Sequence, residues 1–445
     1  MTTVETTIAT ADPVDGAHPP ASAACAAELG PWLKGWPIAQ GPLPLATVGA
    51  QGWHLLDGTL PLPLAVLRRD ALHHNLQWMQ DFAAQRGIDM APHGKTTMSP
   101  QLFRAQLAAG AWGITFANPF QLAVGIAAGV RRAVIANQVH MPADLAALAH
   151  LHRTTPGLRS LFLVDSAAQL AQIEAWHAAR PAAPVFEVLL ELGIPGGRTG
   201  VRDDGQALAL ARALRASPAV ALAGIECYEG LRLTGDGARD LPHVGALMQR
   251  LHDVAARCEA EDLFEADEVI VSAGGSAVFD LVAAGLRPPL RRPVRALLRS
   301  GCYVTHDHGH YRRLVEQVRL RCGCADALEP ALEVWTAVQS VPEPGLALLS
   351  AGRRDVSFDI EMPHVVAWAP AGSLQRALPP AGWQIKALND QHAYLRWDSA
   401  AGAGPAVGDR VGLGISHPCT TFDKWHWMAV LDADDRVVDA VTVHF

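Results

Sequence analysis

The sequence predicts an α/β protein: a (β/α)8 TIM-type barrel followed by a second, C-terminal β-rich domain. Three observations carry this. The chain has 445 residues, more than the roughly 250 that a β/α barrel takes alone. Eight short apolar runs, near 88–92, 112–116, 133–136, 160–164, 185–190, 220–226, 268–272 and 295–299, alternate with Ala- and Leu-rich stretches of helical character. An open doubly wound sheet would instead want a glycine-rich dinucleotide turn after its first strand, and none follows residue 92. Near residue 311 the rhythm changes to apolar runs punctuated by Gly and Pro, among them 332–338, 346–349, 392–397, 407–415 and 427–431.

In chain order, residues 1–20 are Ala-, Thr- and Pro-rich, lack the basic start and apolar run of a signal peptide, and are expected to be disordered. Residues 25–62 read as an irregular arm held on the body by Trp32, Trp36 and Trp53. The expected division is therefore an N-terminal segment and arm over 1–60, a barrel over 61–310 and a β-rich domain over 311–445. Leu64–Leu67 is a short strand. Asp70 can N-cap a helix that runs to Gln85 and stops at Gly87. Helices follow near 99–109, 119–128, 142–152, 166–179, 205–215, 241–260 and 276–284.

Half of the residues are hydrophobic and 18% are charged, which suits a large core. With 36 basic and 44 acidic residues, a formal charge of −8 and no Lys/Arg run, nucleic acid and anionic membranes are disfavoured partners. Seven scattered cysteines do not form a disulfide framework, and they point to a reducing cytoplasm. Cys322-Gly-Cys324 is spaced too closely for a CxxC pair and reads as structural. No stretch reaches the ~20 apolar residues of a membrane span.

The ends of barrel strands are where chemistry is placed. The first strand runs into Pro92-His93-Gly94-Lys95-Thr96. Lysine becomes a nucleophile when desolvated, and His93 would share its face of the strand. A solvated loop lysine beside a core histidine fits the same residues. After the fifth strand, a Gly-rich loop carries Arg198; the sixth ends in Glu226-Cys-Tyr228-Glu229-Gly. The seventh ends in Gly274-Gly275-Ser276 and runs into a helix, where backbone amides and the helix dipole favour a phosphate. Gly301 and Tyr303, after the eighth strand, can complete that cradle. His417-Pro-Cys419 offers imidazole and thiolate, a pair that suits zinc and leaves open positions; a buried His and an inert Cys are the alternative. The histidine-dense His306-Asp307-His308-Gly-His310 reads as a solvated edge, with His306 or Asp307 able to line the pocket.

From about residue 60 to the C-terminus these segments stand in the order of the D-serine dehydratase and D-threonine aldolase family, relatives of the alanine racemase fold, which the sequence resembles. The resemblance implies that Lys95 holds pyridoxal 5'-phosphate, that Gly274, Gly275, Ser276, Gly301 and Tyr303 bind its phosphate, and that Arg198 and Tyr228 lie near its ring. It implies no role for Cys302. In the dehydratases His-x-Cys binds zinc, whereas the aldolases place an aspartate second, so His417 and Cys419 point to the dehydratase branch. The expected protein is a cytoplasmic homodimer that converts D-serine or a related 3-hydroxy-D-amino acid to a 2-oxo acid and ammonia, with Lys95 and His93 as catalytic residues. A D-3-hydroxy-amino-acid aldolase, a racemase and a non-catalytic carrier of the cofactor are the alternatives.

Overall fold

The computed structural model describes residues 28–230, 233, 236–400 and 402–445; the segment 1–20 lies outside them. All eight expected barrel strands form one parallel sheet. They are Asp89–Met90, Ile114–Phe116, Arg132–Gln138, Arg159–Val164, Phe186–Leu192, Val220–Cys227, Val269–Ala273 and Val294–Leu298. Leu298 pairs with Met90 on one side of the first strand. On its other side the Trp112 amide donates to the Met90 carbonyl at 2.8 Å, the Thr115 amide donates to that of Pro92 at 2.8 Å, and His93 bridges to Thr115. This seam brings the first and second strands together. Their near-unbroken apolar runs reflect burial on both faces, as a parallel sheet under helices requires.

The helices fall close to their expected positions, for identifiable local reasons. Ser99, Asn118, Ser166 and Asp203 each accept a backbone N–H from the first turn of the helix they precede. Asp70 does not act this way. The first helix spans Arg69–Gln85 with Arg68 at its cap, so Asp70 lies inside the first turn, where a carboxylate suits the helix dipole. Gly87 follows that helix in the left-handed region, φ +62°. The helix expected over 276–284 is only Phe279–Ala283 and begins three residues after Ser276.

Two boundaries differ from expectation. Leu64–Arg68 is a strand, but it lies in the second sheet, between Leu332–Glu343 and Trp427–Leu431. Its apolar run specifies a strand and carries no information about its neighbours. The helix His310–Cys322 follows the eighth strand in βα order, so helical structure continues past residue 311. Gly323 caps it at φ +64°, which gives Cys322-Gly-Cys324 the structural reason expected. The second sheet has nine strands: Leu64–Arg68 and eight drawn from residues 332–442. In the arm, Trp36 packs edge-on against Trp53 and Trp427 at 5.2 and 5.1 Å, whereas Trp32 is exposed. No helix among the described residues is long and apolar enough to cross a membrane.

Candidate active site

A cavity of about 360 Å³ lies where the C-terminal ends of the barrel strands meet the second domain. His93, Lys95, Arg198, Tyr228, Gly274, Gly275, Ser276, Gly301, His417 and Cys419 all line it. Tyr303 does not. It is buried, and its hydroxyl lies 3.4 Å from the Gln106 amide that donates to it, so the chain turns its side chain away from the proposed cradle. Thr96, Asn137, Arg299, Cys302 and Tyr311 also line the cavity, and the sequence reading gave none of them a role.

Lys95 sits on a short 3-10 turn, Gly94–Thr96, after the strand has ended. Its exposed amine and the His93 ring nevertheless face the same cavity. Close approach explains Gly301 beside them: a Cβ there would lie 2.6 Å from the His93 carbonyl and 2.8 Å from Thr96 Oγ1. Burial, followed by the charges of Lys95, Arg299 and Arg198, pushes the His93 imidazole well below its usual pKa, so the ring is neutral. Its Nδ1 is buried without a hydrogen-bond partner.

At the floor of the cavity, Arg299 is 5% exposed: it pairs with Glu226 at 2.7 Å and donates to Ser272 Oγ and the Cys227 carbonyl. Burial raises the Glu226 carboxyl to about 8 against the opposing charge of Arg299. Arg198 lies over the Tyr228 ring, 5.0 Å from its centroid. Glu229 changes the picture of the glycine turn. Its buried carboxylate accepts the amides of Gly274 at 3.1 Å and Gly275 at 2.7 Å. Those two donors therefore shape the turn from behind, and they are not free for a phosphate. Gly274, at φ +105°, is what lets the backbone make this bend.

On the second domain, His417 and Cys419 meet at the cavity rim. Asp359 Oδ2 accepts the His417 Nδ1 hydrogen bond at 2.6 Å and Oδ1 accepts one from Thr420 at 2.8 Å. Burial opposes a charge on His417, but hydrogen bonds with Cys419 and Asp359 outweigh it and raise the imidazole to about 9. Hydrogen bonding with Cys302, then with His417 and Thr96, holds the Cys419 thiol well below its ordinary range despite burial. Asp359 stands 58 residues before His417, and no sequence motif marks it. It orients one imidazole nitrogen, as carboxylates do for metal-binding histidines, while the ring also hydrogen-bonds Cys419. Among the described residues no group of three or more His, Cys, Asp and Glu side chains could hold a metal ion. Two donors, one imidazole and one thiol, are what this rim provides.

The expected histidine cluster is not part of the site. Asp307 accepts the amides of Gly309, Tyr311 and Arg312 and so caps the following helix, while His306 is buried. As a whole, the cavity suits pyridoxal phosphate. It presents an exposed primary amine, the exposed Arg198 guanidinium, the Ser276 hydroxyl and a tyrosine face. The orphaned His93 Nδ1 is a buried polar atom that a bound polar ligand could satisfy.

Comparison with known proteins bears on the fold and on the class of chemistry. Residues 67–306 match the family described as "Alanine racemase, N-terminal domain", and residues 331–431 match one described as "Putative serine dehydratase domain". The chain is similar to a D-threonine aldolase of Arthrobacter sp., 29% identical over 85% of this chain and 90% of the relative. It is similar to the same extent to a D-threo-3-hydroxyaspartate dehydratase of Delftia sp. (strain HT23), 28% identical over 85% of this chain and 96% of the relative. A solved D-threo-3-hydroxyaspartate dehydratase, a Cys-to-Ala variant in the metal-free form, superimposes with a TM-score of 0.66 at 25% identity, over 87% of this chain and 98% of that one.

Proposed function

The chain belongs to the alanine racemase N-terminal domain family, and on that premise we propose that it is a pyridoxal phosphate-dependent lyase acting on a 3-hydroxy-D-amino acid. Within that class we read it as a metal-assisted dehydratase, which releases a 2-oxo acid and ammonia from D-serine or a related 3-hydroxy-D-amino acid. Relatives named as aldolase and dehydratase are about equally similar, so overall identity does not choose between the two reactions. The observation that carries the choice is the rim pair: His417, oriented by Asp359, beside Cys419.

When bound, pyridoxal phosphate supplies an electrophilic aldehyde and an electron sink, and a divalent metal supplies a Lewis acid for the departing hydroxyl. In this reading the Lys95 amine holds the cofactor and, once displaced by the substrate amine, takes the α-proton. Arg198 and Ser276 bind anionic groups, and Tyr228 flanks the ring. Gly274, Gly275 and Gly301 give the turns their shape, and Glu229 fixes them from behind. His93 stays neutral, so it can accept a proton within the cavity and hand it on. His417 and Cys419 hold zinc, a borderline-soft ion matched to imidazole and thiolate. The aldolase reading uses the same site, with a base on the β-hydroxyl in place of metal-assisted departure. The cytoplasmic homodimer rests on the resemblance and on cysteine usage alone.

Removing the metal tests this reading. Chelation, or Cys419→Ser, should abolish 2-oxo acid formation while the cofactor remains attached to Lys95. An undiminished rate in zinc-free protein would refute metal assistance.

A further inference from the structure

Two cysteines face each other across the boundary between the barrel and the second domain. Cys302 lies on the turn after the eighth strand, Cys302–Val304, and Cys419 opens the short helix Cys419–Phe422. They are 117 residues apart in sequence, and their sulfurs are 3.7 Å apart. Thr96 Oγ1 lies 3.8 Å from one sulfur and 3.4 Å from the other, so a single hydroxyl holds both thiols in place. Both residues line the cavity, where a small solute reaches them, and every described cysteine is free. Sulfur atoms 3.7 Å apart are in van der Waals contact, and closing to the roughly 2.05 Å of a bond brings them less than 2 Å nearer.

We propose that Cys302 and Cys419 are a peroxide-sensitive pair that closes into a reversible disulfide and withdraws Cys419 from metal binding. The bond itself follows from the sulfur geometry. Its effect on the metal rests on the reading of Cys419 as a ligand given above.

The chemistry balances with peroxide as the oxidant. Cys419 Sγ, the more accessible of the two, attacks one peroxide oxygen. The O–O bond breaks, and the leaving hydroxide takes up a proton to become water. The resulting sulfenic acid is attacked by Cys302 Sγ; the S–O bond breaks, and the second hydroxide leaves as water with the Cys302 proton. Two thiols lose two electrons and two protons, and one peroxide becomes two waters. The product links the barrel to the second domain, and a thiol reductant reverses it.

The test uses the full-length holoprotein treated with hydrogen peroxide, alkylated and digested without reductant. Mass spectrometry should find the Cys302 and Cys419 peptides joined and two hydrogens lighter than the separate thiols. Zinc should appear in solution, and reductant with added Zn2+ should restore the starting state. Cys302→Ala should lose the cross-link entirely, and its oxidised Cys419 should not return through a disulfide. Differential alkylation of the wild-type protein gives the same answer without any variant. The proposal is overturned if treated wild-type protein keeps both thiols free, or if Cys419 proceeds to sulfinic acid with no cross-link. A cross-link in protein that held no metal beforehand would uphold the disulfide and remove the metal reading instead.

Discussion

Lys95 brings an exposed amine into a cavity that it shares with Arg198 and, deeper, Arg299. Borohydride reduction of the holoprotein should fix the cofactor on the peptide carrying Lys95, and Lys95→Ala should abolish both the modification and activity. A reducible linkage surviving in that variant would contradict the assignment. His306 is buried, and that burial lowers its imidazole to about 3. The unfolded chain binds a proton near pH 6.5 that the folded one refuses. The His306 contribution is therefore whole above pH 6.5 and is lost as the pH falls towards 3. Asp307 next to it, raised by burial to about 6, acts with the opposite sign, because its folded form binds the proton first. The comparison to make is between wild type and His306→Asn, since asparagine tolerates the φ of +47° found there. Urea unfolding curves should show the variant losing less stability between pH 6 and 4, by up to roughly 1.4 kcal/mol per pH unit. Parallel curves would contradict it. The sequence could not reveal the role of Asp307, because a histidine-dense segment reads alike whether it faces water or caps a helix.

Among the elements, the turn after the seventh strand is held by Glu229 from the sixth. Glu229→Ala would leave the amides of Gly274 and Gly275 without their acceptor, at about 1–3 kcal/mol for the buried Gly274 donor. Cofactor affinity, followed by titrating cofactor-free protein, should fall about tenfold or more, with no change expected at saturating cofactor in the Lys95 linkage. Unchanged affinity in a folded variant would show that the turn keeps its shape alone. The strands and helices were legible because burial on both faces of a parallel sheet writes unbroken apolar runs, and caps such as Ser99 and Asn118 stand where the helices begin. Partnership was not legible. Leu64–Arg68 reads as a strand from its own residues, but only pairing places it between Leu332–Glu343 and Trp427–Leu431. For the same reason Asp359 and Glu229 went unassigned: their partners are fixed by the fold, and nothing local marks them.

For the whole molecule, the arrangement divides the labour: the barrel offers Lys95, His93, Arg198 and the glycine turns, and the second domain closes the cavity with His417 and Cys419. The strand-end residues were legible because barrels place chemistry there; Tyr303 failed because adjacency to Gly301 says nothing about the direction of a side chain on a turn. In the proposed reading, this shared cavity removes water from a 3-hydroxy-D-amino acid, in place of breaking its carbon–carbon bond. The most direct measurement is to incubate the purified protein, with pyridoxal phosphate and zinc present, with a panel of 3-hydroxy-D-amino acids, and to follow 2-oxo acid and aldehyde separately. A dehydratase should give 2-oxo acid and ammonia in equal amounts, no aldehyde, and no turnover of the L-enantiomers. Aldehyde with glycine as the products would contradict it and put the aldolase reading in its place.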